Sequence, residues 1–175
     1  MDLTDWRAEF PILGRVVYLN SCSLGALSHR ALARVRTFHE QWHQLGASAW
    51  YELWLGTLDE LRLQVSRLLA ADLSEIALTA STSAALSSIA SAIDYRARPR
   101  IVVSELDFPT LGYQWLARPG VEVVRVPSDD GATIDPARFA AAVDERTAVL
   151  ATSHVYYATG AIQDLPALAA IAPVA

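Results

Sequence analysis

Apolar and polar positions alternate along this chain in two distinct rhythms. From Ser28 to Leu45 the apolar residues Leu32, Val35, Phe38, Trp42 and Leu45 recur at helical spacing. Ser28 is a helix cap and Gly46 a stop. A second helix is predicted over about Trp50–Ala70, with Leu58, Leu61, Val65 and Leu68 on one face. Ahead of these lie a short helix at Leu3–Phe10 and a short strand at Val16–Leu19. The turn-rich stretch Asn20–Gly25 follows them.

From Glu75 onward the rhythm changes to short bulky runs separated by helical segments. Strands are predicted at Ile76–Thr79, Ile101–Ser104, Val121–Val126 and Ala148–Ala151. Helices are predicted at Thr82–Ile93, at Thr110–Leu116 and from Asp135-Pro136 through Val143. A last helix, capped by Asp164, is expected to run into Pro173. Strand and helix alternate, which is the signature of an α/β fold with a largely parallel sheet covered on both faces. The expected division is an arm and helix over 1–46 and the sheet-bearing part over 47–175. A parallel sheet is expected to continue past the last helix with another strand.

Composition narrows the choices. The 175 residues are 53% hydrophobic, with a mean hydropathy of +0.24. That is enough apolar surface for one sizeable core, with faces left for a partner. The formal net charge is −5, and no basic run is present. Nucleic-acid binding, which needs a basic footprint, is disfavoured. The single cysteine, Cys22, excludes an internal disulfide and fits a reducing compartment. The first residues lack a secretory pattern and no apolar run reaches bilayer length, so the expected location is cytoplasmic. All 14 basic residues are arginine, so no side chain here can form a lysine Schiff base.

Three segments carry candidate chemistry. Thr79-Ala80-Ser81-Thr82-Ser83 sits where a strand gives way to a helix. Free N–H groups, a positive helix end and small hydroxyl residues make a phosphate cradle that needs no cation. The same pattern also makes an ordinary helix cap. In the second segment, Ser104–Thr110, Phe108 is placed to stack on a flat ring or to plug the loop. The third is Ser153–Gly160. Its adjacent Ser153 and His154 point to opposite faces of a strand, a poor nucleophile–base pair. No G-x-S-x-G elbow, G-x-G-x-x-G turn or P-loop occurs. His39 and His43 are four apart but lack a third ligand, so no metal site is assigned. Trp42, Trp50 and Trp54 form either a recognition surface or an aromatic packing cluster.

Taken in order, these stretches resemble the class V aminotransferase group of pyridoxal-phosphate enzymes, and within it the kynureninases. Tyr18–Gly25 is similar to the group's opening strand and loop, and Trp42, Trp50 and Trp54 to the kynureninase helical entry. Ser81-Thr82-Ser83 resembles the phosphate-binding turn, Phe108-Pro109-Thr110 the kynureninase "FPT", and His154-Val155 with Thr159-Gly160 the "HV…TG" element. The resemblance implies the major domain of a fold type I transferase, a three-layer αβα structure here incomplete, preceded by an N-terminal helical segment. It implies pyridoxal 5'-phosphate as cofactor, with Ser81, Thr82 and Ser83 at its phosphate and Phe108 on its ring. Desulfurases of the group usually carry histidine at the stacking position. Relatives often have asparagine where this chain has Tyr156 or Tyr157. The resemblance further implies an amino-acid substrate and a homodimer. It places the aspartate strand and the Schiff-base lysine beyond this stretch. The chain is thus expected to be the front part of an aminotransferase or kynureninase-like enzyme, with no catalytic residue of its own and no activity alone. The alternative is a phosphate-ligand-binding or interaction module that lacks the chemistry.

Overall fold

A computed structural model describes residues 3–172. The chain divides into two compact units, 1–78 and 79–175. The boundary expected after residue 46 falls within the first unit, at the end of its first helix.

In the first unit, helix α1 (His29–Leu45) starts at Ser28, whose Oγ accepts from Ala31 N at 2.9 Å. Gly46, at φ 56°, ends it in a conformation that a side chain would strain. A widened π turn over Trp50–Trp54 leads directly into α2 (Leu55–Leu69). The helix predicted over Trp50–Ala70 is therefore present, with a first turn wider than α. Phe38 meets Trp54 at 4.7 Å, Trp54 meets Trp50 edge-on at 5.2 Å, and Trp54 Nε1 donates to Gln41 Oε1 at 2.8 Å. Trp54 thus packs within the unit, while Trp42 and Trp50 stay exposed. The short N-terminal helix is 3-10 in form, Leu3–Glu9.

Two expected strands are absent. Val17–Leu19 is irregular, and Val17 and Leu19 are exposed. Ile76 is extended (φ −97°, ψ 116°), but the stretch Ile76–Thr79 pairs with no strand among the described residues. The physical reason is shared. A strand persists only beside another, and local β propensity supplies no partner.

The second unit is a three-layer αβα sandwich. Its helices are α3 (Thr82–Ala92), α4 (Pro109–Leu116), α5 (Pro136–Ala142) and α6 (Leu165–Ile171). The strands β1 (Arg100–Ser104), β2 (Glu122–Val126) and β3 (Thr147–Ala151) form a parallel sheet in the order β2-β1-β3. Alternate residues of β1 feed two cores. Ile101 and Val103 pack with Ala90 of α3 and Trp115 of α4, and Val102 packs with Phe139 of α5 and Leu168 of α6. The two crossovers run in opposite directions across the sheet. Connections of one hand must then lie on opposite faces, as α4 and α5 do. At the amino ends of the strands Arg100 bridges Glu122 at 3.0 Å and Asp144 at 2.5 Å. The last helix ends at Ile171. Pro173, into which it was expected to run, lies outside the described residues. No described helix is long and apolar enough to cross a membrane.

Candidate functional site

The chain after β1 leads to α4 on one face of the sheet, and the chain after β3 leads to α6 on the other. The loops at the carboxyl ends of these neighbouring strands therefore part in opposite directions. That divergence makes a crevice, the place where open α/β sheets bind ligands.

Two helix starts meet beside it. Ser83 Oγ lies 3.5 Å from Thr110 Oγ1, Ser87 Oγ donates to Gln114 Oε1 at 2.8 Å, and an Arg118 nitrogen donates to Ser91 Oγ at 3.0 Å. The partners are 27 residues apart at every step, so α3 and α4 run side by side in the same direction. Their positive ends coincide. The small side chains Ser83, Ser87 and Ser91 allow this close pairing along one face of α3.

Ser81 is the N-cap of α3. Its Oγ accepts from Ala84 N at 3.2 Å, and its carbonyl accepts from Ala85 N at 3.1 Å. These two bonds use the third and fourth N–H groups of the helix. Those of Thr82 and Ser83 keep no partner among the described residues, and both side chains are exposed. The structure thus separates roles within the predicted triplet: Ser81 shapes the turn, while Thr82 and Ser83 present donors outward. Thr110, to which the sequence motif gave no role, brings its hydroxyl to the same spot. A phosphate group fits this cradle, because every group presented is a hydrogen-bond donor at a positive helix end.

Phe108 immediately precedes Pro109, the first residue of α4, and is half exposed. It meets Tyr157 edge to face, with ring centroids 5.2 Å apart and planes at 82°. Phe108 is therefore not a buried loop plug. It offers aromatic surface at the crevice, fit for stacking against a heteroaromatic ring.

Asp107 is the residue that sequence reasoning missed. It is buried, and its carboxylate accepts from Thr152 Oγ1 at 2.9 Å and from Ser153 N at 2.8 Å. It thereby ties the loop after β1 to the loop after β3 across the crevice. Gln163 Nε2 strengthens the second loop by donating to Thr152 Oγ1 and the Ser153 carbonyl, each at 2.5 Å. The hairpin between them is closed by Tyr156 N donating to the Ala161 carbonyl at 3.0 Å. Gly160, at φ 73°, makes its turn. Thr159 Oγ1 fastens the hairpin to the Ala132 carbonyl at 3.0 Å. The signal in the sequence was an acidic residue just past a buried strand, a pattern too common to single out Asp107.

Tyr156 is buried in the core between the sheet and α5–α6, yet its hydroxyl has no hydrogen-bond partner of sound geometry. Burial pushes its pKa up. The nearby Ser104 and Thr152 hydroxyls pull it partly back, and the Asp107 carboxylate raises it further. In the loop below, the Asp130 carboxyl is held well below the usual range, first by the backbone N–H groups of Thr133 and Ala132. His154 is exposed and makes no side-chain bond to Ser153. Among the described residues no group of three His, Cys, Asp or Glu side chains converges on a metal position.

Comparison with known proteins agrees with this architecture. The family model described as Aminotransferase class-V matches residues 17–174. An uncharacterized aminotransferase, YcbU of Bacillus subtilis, is 28% identical over 166 residues, covering 95% of this chain and 44% of that protein. The kynureninase of Geobacillus thermodenitrificans is 28% identical over 179 residues, covering 95% of this chain and 42% of that protein. The chain therefore spans less than half the length of these curated relatives. Among solved structures, a mutant of C-DES with glycine covalently linked to the PLP-cofactor superposes with a TM-score of 0.84 at 20% identity. That match covers 94% of this chain and 45% of the other. The cysteine desulfurase CsdA of Escherichia coli gives a TM-score of 0.75 at 24% identity, covering 97% of this chain and 45% of its own. These two likenesses establish the shared fold.

Proposed function

Because the chain belongs to the class V aminotransferase family, a family of pyridoxal-phosphate enzymes, we propose that its second unit forms the phosphate-and-ring half of a pyridoxal-phosphate site in an enzyme acting on amino acids. The observation that carries this is the meeting of the α3 and α4 starts at Ser83 and Thr110, with the Thr82 and Ser83 N–H groups unpaired.

Each residue has a distinct part. Thr82 and Ser83 donate to the phosphate through backbone and hydroxyl, Thr110 adds a hydroxyl, and Ser81 keeps the turn in shape. Phe108 stacks on the pyridine ring and excludes water from that face. Asp107 holds the two loops at fixed separation, so that Phe108 stays in register with the cradle. The bound cofactor supplies an electron sink for bonds at the amino-acid α-carbon. The sequence has no lysine to attach it covalently, so that group comes from a polypeptide segment outside these 175 residues. The relatives support an aminotransferase or kynureninase-like reaction in a homodimeric, cytoplasmic enzyme. Phenylalanine rather than histidine at position 108 favours this over the desulfurase branch.

The test is titration of the full chain with pyridoxal 5'-phosphate, followed by cofactor absorbance and fluorescence. Saturable binding is expected, competed by inorganic phosphate and weakened several-fold by Thr82→Ala with Ser83→Ala. Borohydride should fix no adduct on the chain. Lack of saturable binding, or binding indifferent to phosphate, would overturn the proposal.

A further inference from the structure

A second binding feature lies at the same end of the sheet. Between α4 and the carboxyl ends of β1 and β2 is a cavity of about 210 Å³. Its walls include the aromatic rings of Phe108, Tyr113 and Tyr157, the guanidinium of Arg125 and the carboxylate of Glu105. None of Ser81, Thr82 and Ser83 lines it, so it is not the phosphate cradle.

The charges set its chemistry. Arg125 stands on β2 in register with Val103, two residues before Glu105, so both charged side chains project toward the α4 face. Glu105 is fixed in place because its Oε1 accepts from Ser128 N. Its second oxygen has no protein partner among the described residues. The guanidinium of Arg125 forms neither an ion pair nor a hydrogen bond among them, and the two charges do not pair with each other. Water alone would satisfy an isolated surface arginine. Here the cation shares a concave wall with a pinned carboxylate and three aromatic rings. Such a site complements a ligand that carries both charges and a flat apolar body.

We propose that this cavity binds a free aromatic α-amino acid. Its carboxylate pairs with Arg125, its ammonium with the free oxygen of Glu105, and its ring packs against Phe108 and Tyr113. An arginine offers a two-pronged contact to a carboxylate, which selects it over a simple anion. The site shares Phe108 with the proposed cofactor half-site but does not need the cofactor to be loaded.

Fluorine NMR of para-fluoro-L-phenylalanine, titrated with the full chain without cofactor, tests this. Saturable line broadening is expected. Para-fluorophenethylamine, which lacks the carboxylate, and para-fluorohydrocinnamate, which lacks the ammonium, should each bind about tenfold more weakly. Arg125→Gln should abolish the advantage of the amino acid over the amine. Glu105→Gln, which keeps an acceptor for Ser128 N–H, should abolish its advantage over the acid. Arg125→Lys should retain part of the binding, which separates loss of charge from loss of fold. Inorganic phosphate, directed to the cradle, should not compete. Absence of saturable binding, equal binding of the three probes, unchanged binding in folded Arg125→Gln, or competition by phosphate would each overturn the proposal. Failure here with intact pyridoxal-phosphate binding would leave the cofactor reading standing, and the reverse result would separate the two the other way.

Discussion

The two units of the chain differ most in what they bury. The sheet unit closes two cores, one around Ile101, Val103 and Trp115, the other around Val102, Phe139 and Leu168. The helical unit has comparable apolar content in α1 and α2 but hides little of it. Trp42, Trp50, Leu58 and Leu61 remain exposed, and neither α1 nor the π turn has a buried residue. A parallel sheet with helices on both faces supplies its own burial. A pair of amphipathic helices needs another surface to do the same. The cradle and Phe108 sit on the self-supporting unit, so their geometry does not depend on what covers the helices.

The largest effect expected from this contrast is in the core. Phe139 is wholly buried and Trp42 is 60% exposed. Phe139→Ala should cost about 3–5 kcal/mol of unfolding free energy in urea titrations. Trp42→Ala should change it by less than about 1 kcal/mol. Equal costs would remove the distinction between the units.

Asp107 is next. Asp107→Ala leaves Ser153 N–H and the Thr152 hydroxyl without their acceptor, so a loss of about 1–3 kcal/mol is expected. Pyridoxal-phosphate affinity should fall as well, because the loops that Asp107 joins carry Phe108 and Tyr157. A variant that loses stability but binds the cofactor normally would remove Asp107 from the positioning role. Smaller again is Ser81→Ala, which removes a cap and should cost about 1 kcal/mol.

The smallest effect belongs to Tyr156. Its hydroxyl has no partner, so Tyr156→Phe should leave stability near neutral pH within about 1 kcal/mol of the parent, or raise it. The pH dependence has a definite sign. The folded-state pKa of Tyr156 is raised above the ordinary 10.0, so the parent's stability is intact below that pH and declines as pH rises toward the folded value. Denaturation series above pH 10.0 should therefore show the parent falling faster than the phenylalanine variant. Parallel curves would mean that Tyr156 titrates normally.

What the sequence revealed follows the same division. The three strands of the sheet and the helices between them were legible to within a residue or so, because alternating bulky runs and caps such as Ser81, Asp135 and Asp164 are local signals. Val16–Leu19 and Ile76–Thr79 have equally good strand composition but lack a partner, and partnership is not a local property. The candidate site divides in the same way. The Ser81–Ser83 turn and Phe108 are motifs within a few residues. The approach of Ser83 to Thr110 and the bond from Thr152 to Asp107 join residues 27 and 45 apart, and only the folded sheet brings them together.

The central claim is that the paired starts of α3 and α4 hold a phosphate. It is tested most directly by amide NMR of the full chain titrated with inorganic phosphate and then with pyridoxal 5'-phosphate. The account predicts that the N–H resonances of Thr82, Ser83 and Thr110 shift together and saturate with both ligands. Shifts confined to other residues, or none at these three, would contradict it.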